Sequence, residues 1–144
     1  MKVLVLDLET TVQKIEDKTD NSPFNPDNRC VSAHFGWLGV TTVNVVETLV
    51  FGHNEMIKPD SRETLEEALA EADVMVAHNA KFDIKMIRAA GFEVKGAIAD
   101  TIVMAKLTDE NELSYRLKWL CQKYFDYSAK EDDQLDEWKK KNKD

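Results

Sequence analysis

Apolar and polar positions along the chain switch between a two-residue and a helical period, and the switches mark the elements. Val3–Glu9 reads VLVLDLE, β-branched and apolar and then acidic, which predicts a buried strand ending in two carboxylates. Val12–Asn28 is polar and punctuated by Pro23 and Pro26, the pattern of a long loop; such loops in a compact domain often carry function. Cys30–Val40 and Val45–Gly52 are two β-rich apolar runs with Thr41–Asn44 between them, a hairpin whose first strand is weakened by Gly36 and Gly39. Ser61 can cap a helix through Ala72, in which Leu65, Ala68, Leu69 and Ala72 recur at helical spacing. Val74–Ala77 is a short apolar strand. After His78–Asn79 a helix runs to Ala90 and stops at Gly91. Ala97–Ala99 reads as a fifth strand, and Asp100 or Thr101 opens a helix through Leu107. Leu113–Phe125 predicts an amphipathic helix with Leu113, Leu117, Leu120, Cys121 and Tyr124 on one side. Lys130–Asn142 has only Leu135 and Trp138 as apolar residues and reads as a peripheral helix or a tail.

Three leading strands joined without helices are expected to be antiparallel, and a strand reached across a helix to be parallel to one of them. The order predicts an α/β fold with a mixed central sheet and helices on its faces.

Composition narrows the class. A chain of 144 residues fits one domain and can bury a core without staples. A hydrophobic fraction of 43% and a charged fraction of 32% exclude a disordered chain or a fibre. No apolar run approaches the roughly 20 residues of a membrane span, and MKVLVLDLETT turns acidic too early for a signal peptide. Cys30 and Cys121 form neither a disulfide framework nor a zinc spacing, so a reducing cytoplasm is the expected compartment. The net charge of −8 speaks against a protein that grips nucleic acid through a broad basic face. The one basic cluster is Lys139, Lys140, Lys141 and Lys143, and the rest of the chain is more acidic still. A nucleic-acid role therefore needs another source of positive charge. Bound divalent metals are one, because they reverse the local sign of a carboxylate site.

Candidate chemistry begins at the end of the first strand. Asp7 and Glu9, two positions apart, project to one side, and two adjacent carboxylates repel unless a cation lies between them. Hard divalent ions take oxygen ligands, which makes Mg2+ or Mn2+ the natural partner. On these two residues alone, a strand that simply ends there in water accounts for the pattern as well. The second element is AHNAKFD, Ala77–Asp83. His78 and Asn79 fall at the end of a strand, where open α/β sheets bind ligands. Asp83 falls in the first turn of a helix, where a carboxylate suits the dipole in any case. Phe82 beside it reads as core. Taken with Asp7 and Glu9, Asp83 would complete a three-carboxylate cage.

Asp7–Thr10 (DLET) followed by His78–Asp83 (HNAKFD) resembles the first two motifs of the DEDD 3′–5′ exonucleases, and most of all the proofreading domain of bacteriophage family A DNA polymerases. Gly91–Lys106, Leu113–Tyr124 and the loop SPFNPDN at Ser22–Asn28 extend the resemblance over most of the chain. The resemblance implies an RNase H-like fold and hydrolysis of single-stranded DNA 3′ ends to nucleoside 5′-monophosphates in DNA replication. It assigns Asp7, Glu9 and Asp83 to two divalent metal ions, Mg2+ or Mn2+. Thr10 and Asn79, with His78, would help hold the terminal nucleotide, and Leu8 would pack against its base. Asp100 would stand behind the ligands or cap a helix. One ion would activate a water and the other would stabilise the leaving oxygen.

The sequence departs from the family at the third motif, a Tyr or His four residues before an Asp. Tyr127 stands four before Glu131 and too early, and Asp132, Asp133 and Asp136 have no Tyr or His upstream at that spacing. The economical expectation is a single exonuclease-like domain, 1–144, that lacks its third-motif helix. A polymerase or second polypeptide would then complete the site. The alternative is a weak or inactive domain that binds a DNA end or a polymerase. A ribonuclease H or a resolvase fits the His78–Asp83 element poorly. The remaining candidates are plain: His34 and His53 as ordinary residues, Trp37 and Trp119 as core, and Trp138 as a possible contact to DNA or a partner chain.

Overall fold

The structure is a computed structural model whose described residues are 1–39, 43–50, 59–125 and 140–141. Strand β1 (Val3–Thr10) forms where the most continuous apolar run lies. Its alternation is visible in burial: Leu4, Leu6 and Leu8 are buried, whereas Asp7 and Glu9 are exposed. The predicted loop then contains a small hairpin, β2 (Gln13–Ile15) and β3 (Lys18–Asp20), turning at Glu16 with φ of 56°. Strand β4 (Cys30–Leu38) pairs antiparallel with β1, and β5 (Val43–Val50) antiparallel with β4. Helix α1 (Pro59–Glu71) leads to β6 (Val74–Ala77), which is parallel to β1. Helix α2 (Ala80–Ala89) leads to β7 (Ala97–Asp100), parallel to β6. The five-stranded sheet has the order β5-β4-β1-β6-β7, the mixed topology that the element order and the RNase H-like resemblance lead one to expect.

The core gathers Leu4, Leu6, Phe35 and Met75 of the sheet with Leu65 and Leu69 of α1 and Met86 and Ile87 of α2. Each such side chain contributes roughly 1.5–3 kcal/mol by leaving water. Trp37, Phe82, Ala90 and Val94 pack against this cluster. Two glycines are needed where they stand. Gly91 follows α2 with φ of 88°, as the expected stop. A Cβ on Gly96 would lie 2.5 Å from the Ala72 carbonyl oxygen, just where Ala97 N–H donates to Asp73 O at 2.9 Å and starts β7.

Contacts divide the chain into Met1–Thr101 and Ile102–Asp144. After α3 (Thr101–Thr108), the second unit differs from its predicted pattern. The helix expected from Leu113 begins only at Leu117 as α4 (Leu117–Phe125), and Leu120 is its buried residue, while Leu113 is 85% exposed. Side-chain oxygens explain the late start. Asp109 Oδ1 accepts Asn111 N–H at 3.0 Å, Glu112 Oε1 accepts Leu113 N–H at 2.9 Å, and Ser114 Oγ accepts Arg116 N–H at 3.3 Å. Those local bonds compete with helix formation. Trp119 is not core: its indole N–H donates to Glu112 Oε1 at 2.8 Å, and the residue is 38% exposed.

Helix α1 starts at Pro59, ahead of the Ser61 expected to cap it, with proline in the first turn. The predicted features at Val40–Thr42, Phe51–Gly52, His53, Tyr127, Glu131, Asp132, Asp133, Asp136, Trp138, Lys139 and Lys143 lie outside the described residues. Among the described residues no helix is long and apolar enough to cross a membrane.

Candidate active site

Register creates the site. Strand β6 pairs with β1 only through Val3–Val5, so beyond Val5 that edge of β1 has no strand beside it. Helix α2 begins just past β6, and Asp83 in its first turn comes to this edge. The backbone amides of Leu8 and of Asp83 itself act on its carboxyl and favour the charged form. The residue is only 5% exposed. Burial and then the Asp7 charge push the Asp83 carboxyl up to about 7; the two amide bonds oppose this, and Asp100 adds a smaller upward push. The Cys30 thiol is likewise pushed up to about 11, by burial and by Asp83, which keeps it protonated and a poor nucleophile.

Across the sheet, Asp7 faces His34 and Glu9 faces Ser32, whose Oγ lies 3.2 Å from His34 Nε2. A register shift follows between Glu9 and Thr10, which sets Thr10 opposite Cys30. The Leu8 side chain is 8% exposed and belongs to the core, so its backbone is what reaches the site.

The corner between β6 and α2 is made by His78 and Asn79. Asn79 adopts a left-handed conformation, φ 71° and ψ 46°, which Asn tolerates better than most side chains. Its N–H donates to Asp100 Oδ1 at 3.1 Å, tying the corner to the end of β7. His78 Nδ1 lies 2.8 Å from Thr101 Oγ1, and that hydroxyl donates to Ala77 O at 3.5 Å. Nε2 is buried and has no partner among the described residues.

The fold thus brings Asp7, Asp83 and Asp100 into one electrostatic neighbourhood, with Glu9 beside Asp7 on the exposed face of β1. The donor set is all oxygen, as a hard divalent ion requires. Among the described residues, however, no three His, Cys, Asp or Glu side chains stand close enough together to hold a metal ion. Sequence reasoning missed His34 opposite Asp7 and Thr101 behind His78. Alternation along β4 places His34 on the exposed face, but only the register shows which residue it meets.

A family model described as 3′–5′ exonuclease matches residues 46–143, a span that holds His78–Asp83 and begins after Asp7 and Glu9. DNA polymerase DpoZ of Acinetobacter phage SH-Ab 15497 is 39% identical over 69 residues, 47% of this chain but only 11% of that protein. Among solved structures, Brucella melitensis NrnC with bound Mg2+ superposes with a TM-score of 0.57 at 18% identity, over 88% of this chain and 54% of that one. NrnC bound to pGG gives 0.59 at 19%, over 88% and 53%. The POL domain of Pol1 from M. smegmatis, in complex with a DNA primer-template and dNTP, gives 0.58 at 14%, over 92% and 20%.

Proposed function

The chain belongs to the 3′–5′ exonuclease family, and on that premise we propose that it hydrolyses single-stranded DNA from the 3′ end to nucleoside 5′-monophosphates. The observation that carries the reading is the buried Asp83 carboxyl, set beside Asp7 and anchored by the Leu8 amide at the open edge of β1. A buried carboxyl beside a second carboxylate calls for a cation if it is to carry its charge. NrnC, of similar fold, has been solved with Mg2+ and with pGG, which supports a divalent metal and a nucleic-acid end here. Asp7, Glu9 and Asp83 would hold two ions, Mg2+ or Mn2+. When bound, these would supply a water of lowered pKa and positive charge at the leaving oxygen.

The chain's own residues do the rest. Asp83 comes from the first turn of α2, and the Leu8 amide of β1 favours its charged form. Asp100 holds the Asn79 corner, which sets Asn79 and His78 at the strand end where the terminal nucleotide would lie. Thr10, past the register shift, lies at the mouth of the same strand end. A fourth carboxylate would come from a second polypeptide, such as a polymerase, that carries the third motif.

A second reading has one observation in its favour, the lack of a ready three-ligand cluster among the described residues. It makes the domain a holder of DNA ends or of a polymerase that does not cut. Degradation of a 5′-labelled single strand with Mg2+, Mn2+ or EDTA separates the two. Stepwise metal-dependent shortening that is lost in Asp7→Ala supports the exonuclease. Equal, residual products from both proteins support the binding module.

A further inference from the structure

We propose that Phe24 and the Lys81–Lys85–Arg88 face of α2 form a second contact for single-stranded nucleic acid, a stacking platform beside a phosphate track; the strand is the one the exonuclease reading supplies. Lys81, Lys85 and Arg88 are spaced four and three residues apart and so share one face of α2. They line a cavity of about 390 Å³ between α2 and the edge strand β7. Ile84 and Ile98 give it an apolar floor, and Asp100, its acidic lining residue, is the group that also bonds the Asn79 corner. Through Asp100 the cavity adjoins the Asn79 corner of the candidate active site.

An exposed phenylalanine alone needs no explanation. Phe24 differs in two respects. First, its backbone is fixed. Asp20 accepts Ser22 N–H at 2.7 Å and Asn25 Nδ2 at 2.8 Å, Ser22 Oγ accepts Phe24 N–H at 3.2 Å, and the buried Asn28 donates to Asp20 O at 3.0 Å and Ser22 O at 2.9 Å. Asp20 is held below the usual carboxylate range by these bonds. The ring, 76% exposed, is thus displayed by a rigid loop. Second, Lys85 Nζ lies 4.3 Å from its centroid, so one cation joins the ring to the basic face.

The occupant follows from charge. On a chain of net charge −8, three cations in a row along one groove suit a polyanion whose repeat also presents flat faces. A single strand has both features, whereas an acidic peptide has only the first.

The test is fluorescence anisotropy of the full chain with a labelled twelve-nucleotide oligothymidylate in EDTA, over a salt series. Phe24→Ser is expected to weaken binding about ten-fold, and Phe24→Trp to restore it, with emission quenched on binding. Replacing Lys81, Lys85 and Arg88 together by Gln should reduce the salt slope by roughly two. Melting temperatures, measured alongside, should stay near that of the parent, because these side chains lie at the surface. An abasic strand that binds as tightly as oligothymidylate overturns the stacking platform. Unchanged affinity and salt slope in the variants overturn the proposal even if the parent degrades DNA. Variant-sensitive binding without metal-dependent hydrolysis keeps the proposal and sinks the exonuclease reading. No binding by the parent sinks this proposal outright.

Discussion

The Leu8 backbone amide favours the charged form of the Asp83 carboxyl, coupling two residues seventy-five positions apart. Strand β6 pairs with β1 only as far as Val5, which leaves the Leu8 stretch of that edge open to α2. The Leu8 side chain stays in the core while its backbone anchors a carboxylate, so one strand both builds the fold and sets the candidate site.

Metal-free stability should fall as pH rises. The Asp83 carboxyl titrates near 7 in the folded chain against an ordinary value of 3.8, so folding takes up a proton between those values. The penalty is absent below about pH 4, grows through this window and is complete above about pH 7. Urea midpoints measured in EDTA should therefore drop between pH 5 and 8. Asp83→Asn should flatten the drop, and a slope as steep in that variant would refute the assignment.

Asp7→Asn should lower the Asp83 titration toward the usual carboxylate range, because the nearest named repelling charge is gone. Carboxyl NMR of the metal-free protein reads this directly. In the same variant, strand degradation should fall at least a hundred-fold if Asp7 serves the site as proposed.

The isolated chain is expected to turn over slowly with Mg2+ and to be partly rescued by Mn2+, since three of the four carboxylates of the resembled site are identified. Rates with Mg2+ matching those with Mn2+ would mean that the fourth ligand is present and working.

Asn79→Ala should cost about 1–2 kcal/mol in urea unfolding, because alanine lacks the side chain that tolerates a left-handed backbone. Asn79→Gly should restore most of that stability but not strand binding, which separates the backbone role of Asn79 from its side-chain role.

Leu6→Ala should cost roughly 2–5 kcal/mol, as Leu6 is 1% exposed at the centre of the sheet. A loss well below 1 kcal/mol would contradict the core described here.

What the sequence determined by itself is local in origin. Two-residue alternation put Asp7 and Glu9 on one face and the leucines on the other. Apolar runs at Val74–Ala77 and Ala97–Ala99 and the stop at Gly91 marked β6, α2 and β7, and the two motifs named the family that the chain matches. The tertiary structure decided what depends on register and distance. It showed that Asp83 couples to Asp7 and Asp100, that His34 lies opposite Asp7, and that Leu8 offers its amide while its side chain is buried. It also corrected Leu113–Phe125, where the period was right for a helix. The side chains of Glu112 and Ser114 took up the Leu113 and Arg116 amides of its first turn, Asp109 took up the Asn111 amide just before it, and Trp119 turned to Glu112. Period is a property of neighbours along the chain, and so it can be read from the sequence. The partner of an amide or a carboxylate is set by which strand ends where, and only the folded chain fixes that.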